Sequence, residues 1–600
     1  MAQQQTNALK SFRVPLVGAF QNRNGVADKD QRFINCFPES RKNDITETKK
    51  IYLYQRPGLN PINTVASGQE GRGIHHWNGY TYSVFGNKIY KGTTAIKTIG
   101  SSTGMCSIEV GTTPSEDVLV VADGTLVYVI EANDTVTEVP LNPAAWTSGA
   151  TIAEGAWRVP TTGNGFYYEA LNAGTTGGTE PTWPVFLGET VTDNGITWIA
   201  QGYTNTAGAW QSSHAYTVGQ QIKVTVAGTD YMFGVYASGT SGGSAPTWSV
   251  TTSALTTDGT VTWICLGPFL DNAPPKYHKP SLAYLDGYMF LVLKRNDGSD
   301  SADVYNCDLD NPYSWNPTNY IVANQFPDKM QALARQNNML VAFGTSSVEF
   351  FYDAGNSTGT PLAVNQSYTL QVGIAAPHAI YQNERFCIFT AQSQSGGRAV
   401  WLLDGFSPKK ISDEYIERIL DVEGTAIADA TGFGLRTNGH LFYVLNLTDR
   451  SVVYDLEEKM WHEWTGTNVV AMTDDSSGKA ILQDGSNGKT YYMDPTIGTD
   501  NGVAINMEVY TTKYDFETMN LKSMQSFNYV SDLQQGKTIQ VRWSDDDYNT
   551  WSGWRTISLY PRAYFTTLGS FRRRAFNIKY TGGIPFRSEA IEFDVRQWKA

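Results

Sequence analysis

Charge is scarce in this 600-residue chain: Asp, Glu, Lys and Arg together make up 17% of it. Cysteine is scarcer still. Cys36, Cys106, Cys265, Cys307 and Cys387 lie far apart, without a C-x-x-C pair and without His at zinc spacing. That pattern excludes a disulfide framework and a zinc cluster, and it fits reduced, buried thiols in a protein folded in a reducing cytoplasm. No apolar run approaches the roughly 20 residues that span a bilayer. The start, Met1-Ala-Gln-Gln-Gln-Thr, lacks the basic residues and apolar stretch of a secretory leader, so the chain is expected to be soluble and unprocessed. Sustained heptads and long helical stretches are also missing. A formal net charge of -13 argues against a DNA-coating protein, because neutralising phosphates needs clustered Lys and Arg. An acidic body can still surround DNA without gripping it.

What the chain has in quantity is glycine (56 residues), aromatics (12%), Thr, Val and Tyr. These favour many short strands joined by tight turns, hence a mainly β protein. At this length about two to four domains are expected. Apolar strand, turn pair, alternating strand and a closing strand often ending in Asp recur around Asn78-Gly79, Asp123-Gly124, Asp286-Gly287, Asn337-Asn338, Asn383-Glu384, Asn438-Gly439 and Ser477-Gly478. Once a 122-residue insert is set aside, consecutive turns are 39 to 55 residues apart. Four-stranded propeller blades need about 40 to 50 residues each, so a β-propeller frame is expected, with a sandwich or irregular stack as the alternative. One helix interrupts it, Asp413-Glu-Tyr-Ile-Glu-Arg-Ile-Leu, with Ile416, Ile419 and Leu420 on one face.

The insert is a tandem duplication. Trp146, Gly155, Gly177-Gly178, Pro181-Thr182-Trp183, Asp193, Trp198 and Gly202 return as Trp210, Gly219, Gly242-Gly243, Pro246-Thr247-Trp248, Asp258, Trp263 and Gly267. From the Gly-Gly turn onward the offset is a constant 65 residues. The unit resembles small carbohydrate-binding-type modules of phage tail and chitinase-like proteins. That resemblance makes Trp183, Trp198, Trp248 and Trp263 candidate glycan contacts, since exposed Trp faces stack on sugar rings. The competing reading is that the same tryptophans form the core of a module of about 60 residues, because small domains need large buried side chains.

The last hundred residues read as a separate β-sandwich-like domain, with strands expected over 506–514, 526–530, 538–543, 554–559, 575–580 and 590–595. Within it, Ser544-Asp-Asp-Asp-Tyr-Asn-Thr-Trp551 resembles the Asp-box of sialidases, with Tyr548 where that motif has Gly. The box holds a hairpin turn even in enzymes and says nothing about glycoside cleavage. Arg572-Arg573-Arg574 is a local basic cluster, a candidate contact with an acidic partner or simply a solvated strand edge. Gly485-Ser-Asn-Gly-Lys-Thr490 lacks the first glycine of a phosphate-binding loop, which would fall at Gln483, and reads as a hairpin turn. His75-His76 has no metal-ligand partner at a fitting interval, and Asp545 to Asp547 lack the alternating ligands of a calcium loop. No catalytic constellation emerges, no metal site and no cofactor are expected, and the chain is read as a non-enzyme.

The stretch from Phe326 to Gly355, above all Phe343-Gly-Thr-Ser-Ser-Val-Glu-Phe-Phe351, resembles the central signature of the tail hub proteins of short-tailed bacteriophages, also called packaged-DNA-stabilisation or nozzle proteins. Supporting pieces are Arg32-Phe-Ile-Asn-Cys-Phe-Pro-Glu39, Arg56-Pro57-Gly58, the hairpin from Trp77 to Gly92, and Phe571 to Tyr580; the duplicated insert lies outside the likeness. The resemblance implies a homohexameric ring below the head-to-tail adaptor and portal, closing the channel over packaged DNA and conducting it during ejection without sequence-specific binding. It also implies contacts with tail needle, fibre or spike proteins, assembly in the host bacterial cytoplasm and residence in the virion tail. The other open reading is a glycan-binding receptor-recognition protein or a glycan-degrading propeller, with host surface glycan as the partner. The expected domains are 1–60 (arm or platform), 61–145 (propeller), 146–202 and 203–267 (inserted modules), 268–499 (propeller) and 500–600 (sandwich).

Overall fold

The computed structural model describes residues 9–17, 31–42, 49–139, 144–162, 166–184, 189–201, 208–218, 220–251, 253–268, 277–295, 298–315, 319–356, 359–383 and 385–597. Gly202, Gly219 and Glu384, used above for the repeat and a turn, lie outside them.

The turn pairs set the fold. Strand Gly71–Trp77 reverses at Asn78-Gly79 into Tyr80–Phe85, with φ of 50° and 77° at the two turn residues. Asp286-Gly287 (49°, 87°) and Asn438-Gly439 (51°, 81°) repeat that geometry between Tyr277–Leu285 and Tyr288–Lys294 and between Thr431–Thr437 and His440–Asn446. Two consecutive positive φ angles make a type I′ turn, whose twist matches that of the strands it joins. Asp123-Gly124 serves differently, linking the second and third strands of its blade.

Each hairpin grows into an antiparallel blade, and seven blades are present among the described residues. They begin at Gly71, Ser107, Tyr277, Met330, Gly373, Thr431 and Val469. Their inner strands follow one another in a closed cycle: Gly71–Trp77, Ser107–Thr112, Tyr277–Leu285, Met330–Gln336, Tyr381–Gln382, Thr431–Thr437, Val469–Asp474 and back to Gly71–Trp77. The frame is a β-propeller, as the turn spacing predicts.

An inner strand is a sheet edge with unpaired N–H groups, and here neighbouring blades cap some of them with side chains. Ser107 Oγ accepts from Leu282 N at 3.0 Å, Ser281 Oγ from Leu333 N at 2.8 Å and Gln382 Oε1 from Arg335 N at 2.8 Å. At the closing joint, Gln483 Oε1 accepts from Gly73 N while its Nε2 donates to Val84 O, both at 2.9 Å. Apolar side chains fill the spaces between blades.

The last blade takes its outer strand from the other end of the chain. Gly58–Thr64 pairs antiparallel with Lys489–Asp494. An expected boundary at residue 60 therefore falls inside a strand. The pairing joins segments more than 400 residues apart, which no local pattern reports.

Both inserted modules have one topology. Each is a five-stranded sheet plus a two-stranded ribbon with corresponding strand orders. The duplication extends to single hydrogen bonds. Trp146 Nε1 donates to Asp193 Oδ2 and Trp210 Nε1 to Asp258 Oδ2, both at 2.7 Å. Gly177 N donates to Asp193 Oδ1 and Gly242 N to Asp258 Oδ1, again both at 2.7 Å. The conserved spacing of Trp, Gly-Gly and Asp within the repeat thus encodes one buried clamp made twice.

The C-terminal region forms two packed sheets, but not from its own strands alone. One sheet orders Cys36–Lys42, Lys49–Gln55, Arg587–Gln597, Lys522–Ser531 and Ala563–Thr566, with Leu9–Pro15 added on Arg587–Gln597. The other orders Arg32–Ile34, Met507–Tyr510, Ala575–Tyr580, Thr538–Ser544 and Arg555–Ser558, and continues into the sixth blade through the parallel pairing Ile34↔Glu463. The N-terminal segment is therefore part of the sandwich rather than a separate platform. Between the sheets lie Phe527, Phe576, Ile591 and Phe593 with Cys36 and Leu53 from the N-terminal strands. Full burial of such side chains contributes on the order of 2 to 3 kcal/mol each.

The joint is held by two arginines. Arg56, 1% exposed, pairs with Asp500 through both terminal nitrogens (3.0 Å from Nη1 to Oδ1) and donates from Nε to Asn35 Oδ1 at 2.9 Å. Arg32 donates to both oxygens of Glu463, at 2.9 and 3.1 Å, which also accepts from Arg450 (3.0 Å) and from the Tyr415 hydroxyl (2.7 Å). Tyr415 belongs to the helix Glu414–Val422, capped by Asp413, whose side chain accepts from Ile416 N at 2.9 Å. Ile416 and Leu420 are buried, as the sequence periodicity requires.

Candidate functional surfaces

The Phe343–Phe351 signature is a piece of framework. Strand Met339–Gly344 turns through Thr345-Ser346-Ser347 into Val348–Asp353. Phe343, Val348 and Phe350 pack toward the fifth blade, and Phe351 toward the third. The turn closes around Asp328, which is 7% exposed. Its Oδ1 accepts from Lys329 N (2.7 Å), Thr345 N (3.0 Å) and the Thr345 hydroxyl; its Oδ2 accepts from Ser346 N (2.8 Å), Ser347 N (2.7 Å) and Ser347 Oγ (2.9 Å). Burial alone would raise the pKa of this carboxyl, but the donors from Thr345, Ser346, Lys329 and Ser347 outweigh it and hold the group below the usual carboxylate range. Gly344 is required because a Cβ there would meet Asp328 Oδ2 at 2.2 Å. Glu349 is fully buried beside this turn, with burial pushing its carboxyl pKa up.

The Asp-box resemblance also resolves into a turn. Asp546 accepts from Thr550 N (2.9 Å), Thr550 Oγ1 (2.6 Å) and Ser544 Oγ (2.9 Å), and the Thr550 and Ser544 bonds lower its pKa to about 2. Tyr548 takes φ of 65° at the position where the motif has Gly. It is held there because its ring is 6% exposed and its hydroxyl donates to Thr511 O at 2.7 Å.

The three consecutive arginines separate. Arg574 is 1% exposed and donates from Nε and Nη2 to the two oxygens of Asp545, at 2.7 and 2.8 Å. This corrects the expectation that it faces a partner: it leads into the central strand Ala575–Tyr580, where an arginine must be buried and ion-paired. Arg573 pairs with Asp547 and is partly buried. Arg572 is exposed, with Nη1 donating to Met519 O at 2.8 Å.

Three other arginines of this domain behave differently, and the sequence reading passes over them. Arg542 Cζ lies between the rings of Trp551 (4.9 Å) and Trp554 (4.4 Å). Arg555 lies over Trp543 (4.9 Å) and Phe565 (5.5 Å), and Arg562 over Tyr564 (4.3 Å). The spacing Trp551-Ser-Gly-Trp554-Arg555 hints at alternation, but the strand pairing Val541↔Arg555 decides which cation reaches which ring.

In the inserted modules, Trp198 and Trp263 are 0% exposed. No face of either ring is open to a sugar, which corrects their assignment as glycan contacts. Each is the centre of a small core: Trp183 packs edge-on to Trp198 at 5.7 Å, and Trp248 to Trp263 at 5.8 Å. Trp183 and Trp248 are partly exposed. Truncating Trp198 or Trp263 to Ala is expected to cost its module about 3 to 5 kcal/mol, seen by calorimetry as an earlier local transition with the propeller transition unmoved. Trp183→Ala and Trp248→Ala should cost clearly less.

The remaining sequence motifs make local structural hydrogen bonds. His76 makes hydrogen bonds to Thr81 Oγ1 (3.2 Å) and Ser476 Oγ (2.9 Å). Gly485 to Thr490 form a hairpin turn, with Asp484 Oδ1 accepting from Ser486 N and Asn487 N at 2.9 and 3.0 Å. Among the described residues no group of three or more His, Cys, Asp or Glu side chains could hold a metal ion, and no helix is long and apolar enough to cross a membrane.

A closed cycle of antiparallel blades defines a β-propeller protein. A family model described as "Bacteriophage P22 Gp10, beta-propeller" matches residues 14–158 and 192–498, more than half of the chain, and the chain belongs to this family. It is a phage structural protein of the group that stabilises packaged DNA. The match ends at residue 498, so the likeness noted at Phe571 to Tyr580 lies beyond it, and its second segment runs on through the second inserted module. No curated protein matches.

Among solved structures, the computationally designed Ika8 protein is 10% identical, with 73% of this chain and 100% of that chain covered and a TM-score of 0.31. The N-terminal domain of Nup159 is 8% identical, covering 77% and 98%, with a TM-score of 0.31. YCF48 from Cyanidioschyzon merolae is 9% identical, covering 73% and 99%, with a TM-score of 0.25. TM-scores this low carry no argument.

Proposed function

We propose that the protein is a non-enzymatic virion component that assembles into a homo-oligomeric ring, six copies in the form the family resemblance implies. This tail hub or nozzle sits below the portal and adaptor, retains packaged DNA and conducts it during ejection. The observation that carries the proposal is membership of the packaged-DNA-stabilising family across the propeller frame.

Charge supports it. The first five hundred residues hold 48 acidic against 32 basic side chains. Each phosphate gripped by Lys or Arg adds a contact that must break on release, so an acidic wall suits rapid passage of a duplex. The propeller gives such a ring a stiff wall, and the inserted modules, rooted between the second and third blades, decorate it. Adaptor, needle and fibre or spike proteins are the proposed neighbours, and host glycan is the proposed ligand of the partly exposed Trp183 and Trp248.

Native mass measurement and negative-stain imaging of the purified protein, alone and with its virion adaptor, are expected to show a ring. Duplex DNA should bind it weakly at physiological salt. A stable monomer in both conditions that turns over bacterial polysaccharide would overturn the proposal.

A further inference from the structure

We propose that the outer edge of the C-terminal sandwich, where Arg542, Arg555 and Arg562 lie on aromatic rings, is a docking site for an acidic polypeptide segment of another virion protein. Three of the domain's other arginines are ion-paired, Arg573 with Asp547, Arg574 with Asp545 and Arg587 with Asp532, while Arg572 donates to a backbone carbonyl. Among the described residues Arg542, Arg555 and Arg562 have no carboxylate within ion-pair distance. Arg542 is held between two indoles without a hydrogen-bond acceptor, and its Nε is buried with no partner. Directly across the sheet, Asn577 is 0% exposed with Oδ1 also unpartnered. The cation is thus fixed in direction while its counter-charge is missing.

The surroundings have the make-up of a protein interface. Trp554, Tyr560 and Tyr564 are 38%, 54% and 39% exposed. Trp, Tyr and Arg dominate the residues that carry binding energy, because they bury much area at little entropic cost and Arg meets carboxylates bidentately. Strands Arg555–Ser558 and Ala563–Thr566 each end their sheet and adjoin one another, with Arg555 Nη1 donating to Thr566 O at 3.2 Å. The last hundred residues carry 13 basic against 10 acidic side chains, in a protein whose net charge is -13.

The alternatives fit less well. Three cations flanked by Asp545, Asp546 and Asp547 make too little positive field to hold duplex DNA, whose binding rises with each phosphate neutralised. A sugar would stack on an open indole, but Arg542 already covers a face of both Trp551 and Trp554.

The test uses the full-length protein and a fluorescently labelled poly-glutamate peptide, followed by anisotropy, with a short DNA duplex and a bacterial polysaccharide as competitors. Saturable peptide binding is expected. The Arg542→Glu/Arg562→Glu double variant should weaken it at least tenfold, about 1.4 kcal/mol. Arg562→Glu alone, at an exposed side chain, should weaken it with melting unchanged, which separates docking from folding. Arg542→Lys should weaken it too, although charge is preserved, because the bidentate fork is lost. Equal peptide binding by the double variant, or displacement by DNA or polysaccharide as effective as by unlabelled peptide, would overturn the assignment. So would loss of the wild-type assembly in the double variant, since the edge would then be a contact between copies. The ring itself is read independently from the mass of the wild type.

Discussion

Replacing Asp328 with Ala is expected to destabilise the propeller by about 3 to 5 kcal/mol, the largest effect of any exchange at a single polar side chain in the frame. Six donors converge on this carboxylate, four from backbone nitrogen and two from hydroxyls. Removing it leaves them together in a turn where Ser347 is 0% exposed, so water cannot replace all of the lost bonds. Asn is expected to rescue little, because one of its two heads is itself a donor and would face the donors from Ser346 and Ser347. Hydrogen exchange should localise the loss to the fourth blade and its neighbours, and calorimetry should give its size. A change below about 1 kcal/mol would mean that the turn is held by the flanking phenylalanines instead.

Acid should destabilise the sixth blade through His462. Both its ring nitrogens are buried without a hydrogen-bond partner, and burial lowers its pKa to about 4. Packed around it are Phe37, Phe442 and Trp464, with the charged groups Asp455, His440 and Glu463 nearby. In the unfolded chain the imidazole takes up a proton near pH 6.5, while the folded state resists until about pH 4. The unfolded state therefore binds more protons in this window, and stability falls as pH drops from about 6.5 to 4, by roughly 3 kcal/mol in all. His462→Leu should remove this slope and raise stability at pH 5.

His440 titrates in the opposite sense. Its Nδ1 lies 2.7 Å from Asp455 Oδ2, and although burial works against the charged form, the Asp455 bond and charge raise its pKa. That contribution is fully present below pH 6.5 and is lost as pH rises through the raised value. Chemical denaturation of the wild type, His462→Leu and His440→Gln between pH 4.5 and 8 separates the two. An unchanged slope in His462→Leu would show that carboxylates, not this imidazole, set the acid limit.

The short-range signals were legible in residue types. Asn78-Gly79, Asp286-Gly287 and Asn438-Gly439 placed hairpins correctly because positive φ at consecutive residues is a local property. The 65-residue repeat was legible for a related reason: a duplicated clamp needs the same Trp, Gly and Asp at the same spacing. The signature around Phe343 was recognisable as a string, but its physical role needed Asp328, fifteen residues earlier and joined to it only by the turn. Tryptophan in the modules was ambiguous in sequence, since the same side chain serves a core or a sugar. Burial decided for the core at Trp198 and Trp263.

By itself the sequence determined the strands, the turns, the period of the blades and the family, all of which depend on residues close together or on their order. Only the tertiary structure decided that Gly58–Thr64 closes the last blade, that the N-terminal strands complete the C-terminal sandwich, and that of six neighbouring arginines Arg574 is buried in an ion pair while Arg542, Arg555 and Arg562 lack one. Each of these depends on pairing between distant strands, and register, not composition, sets which charge meets which partner.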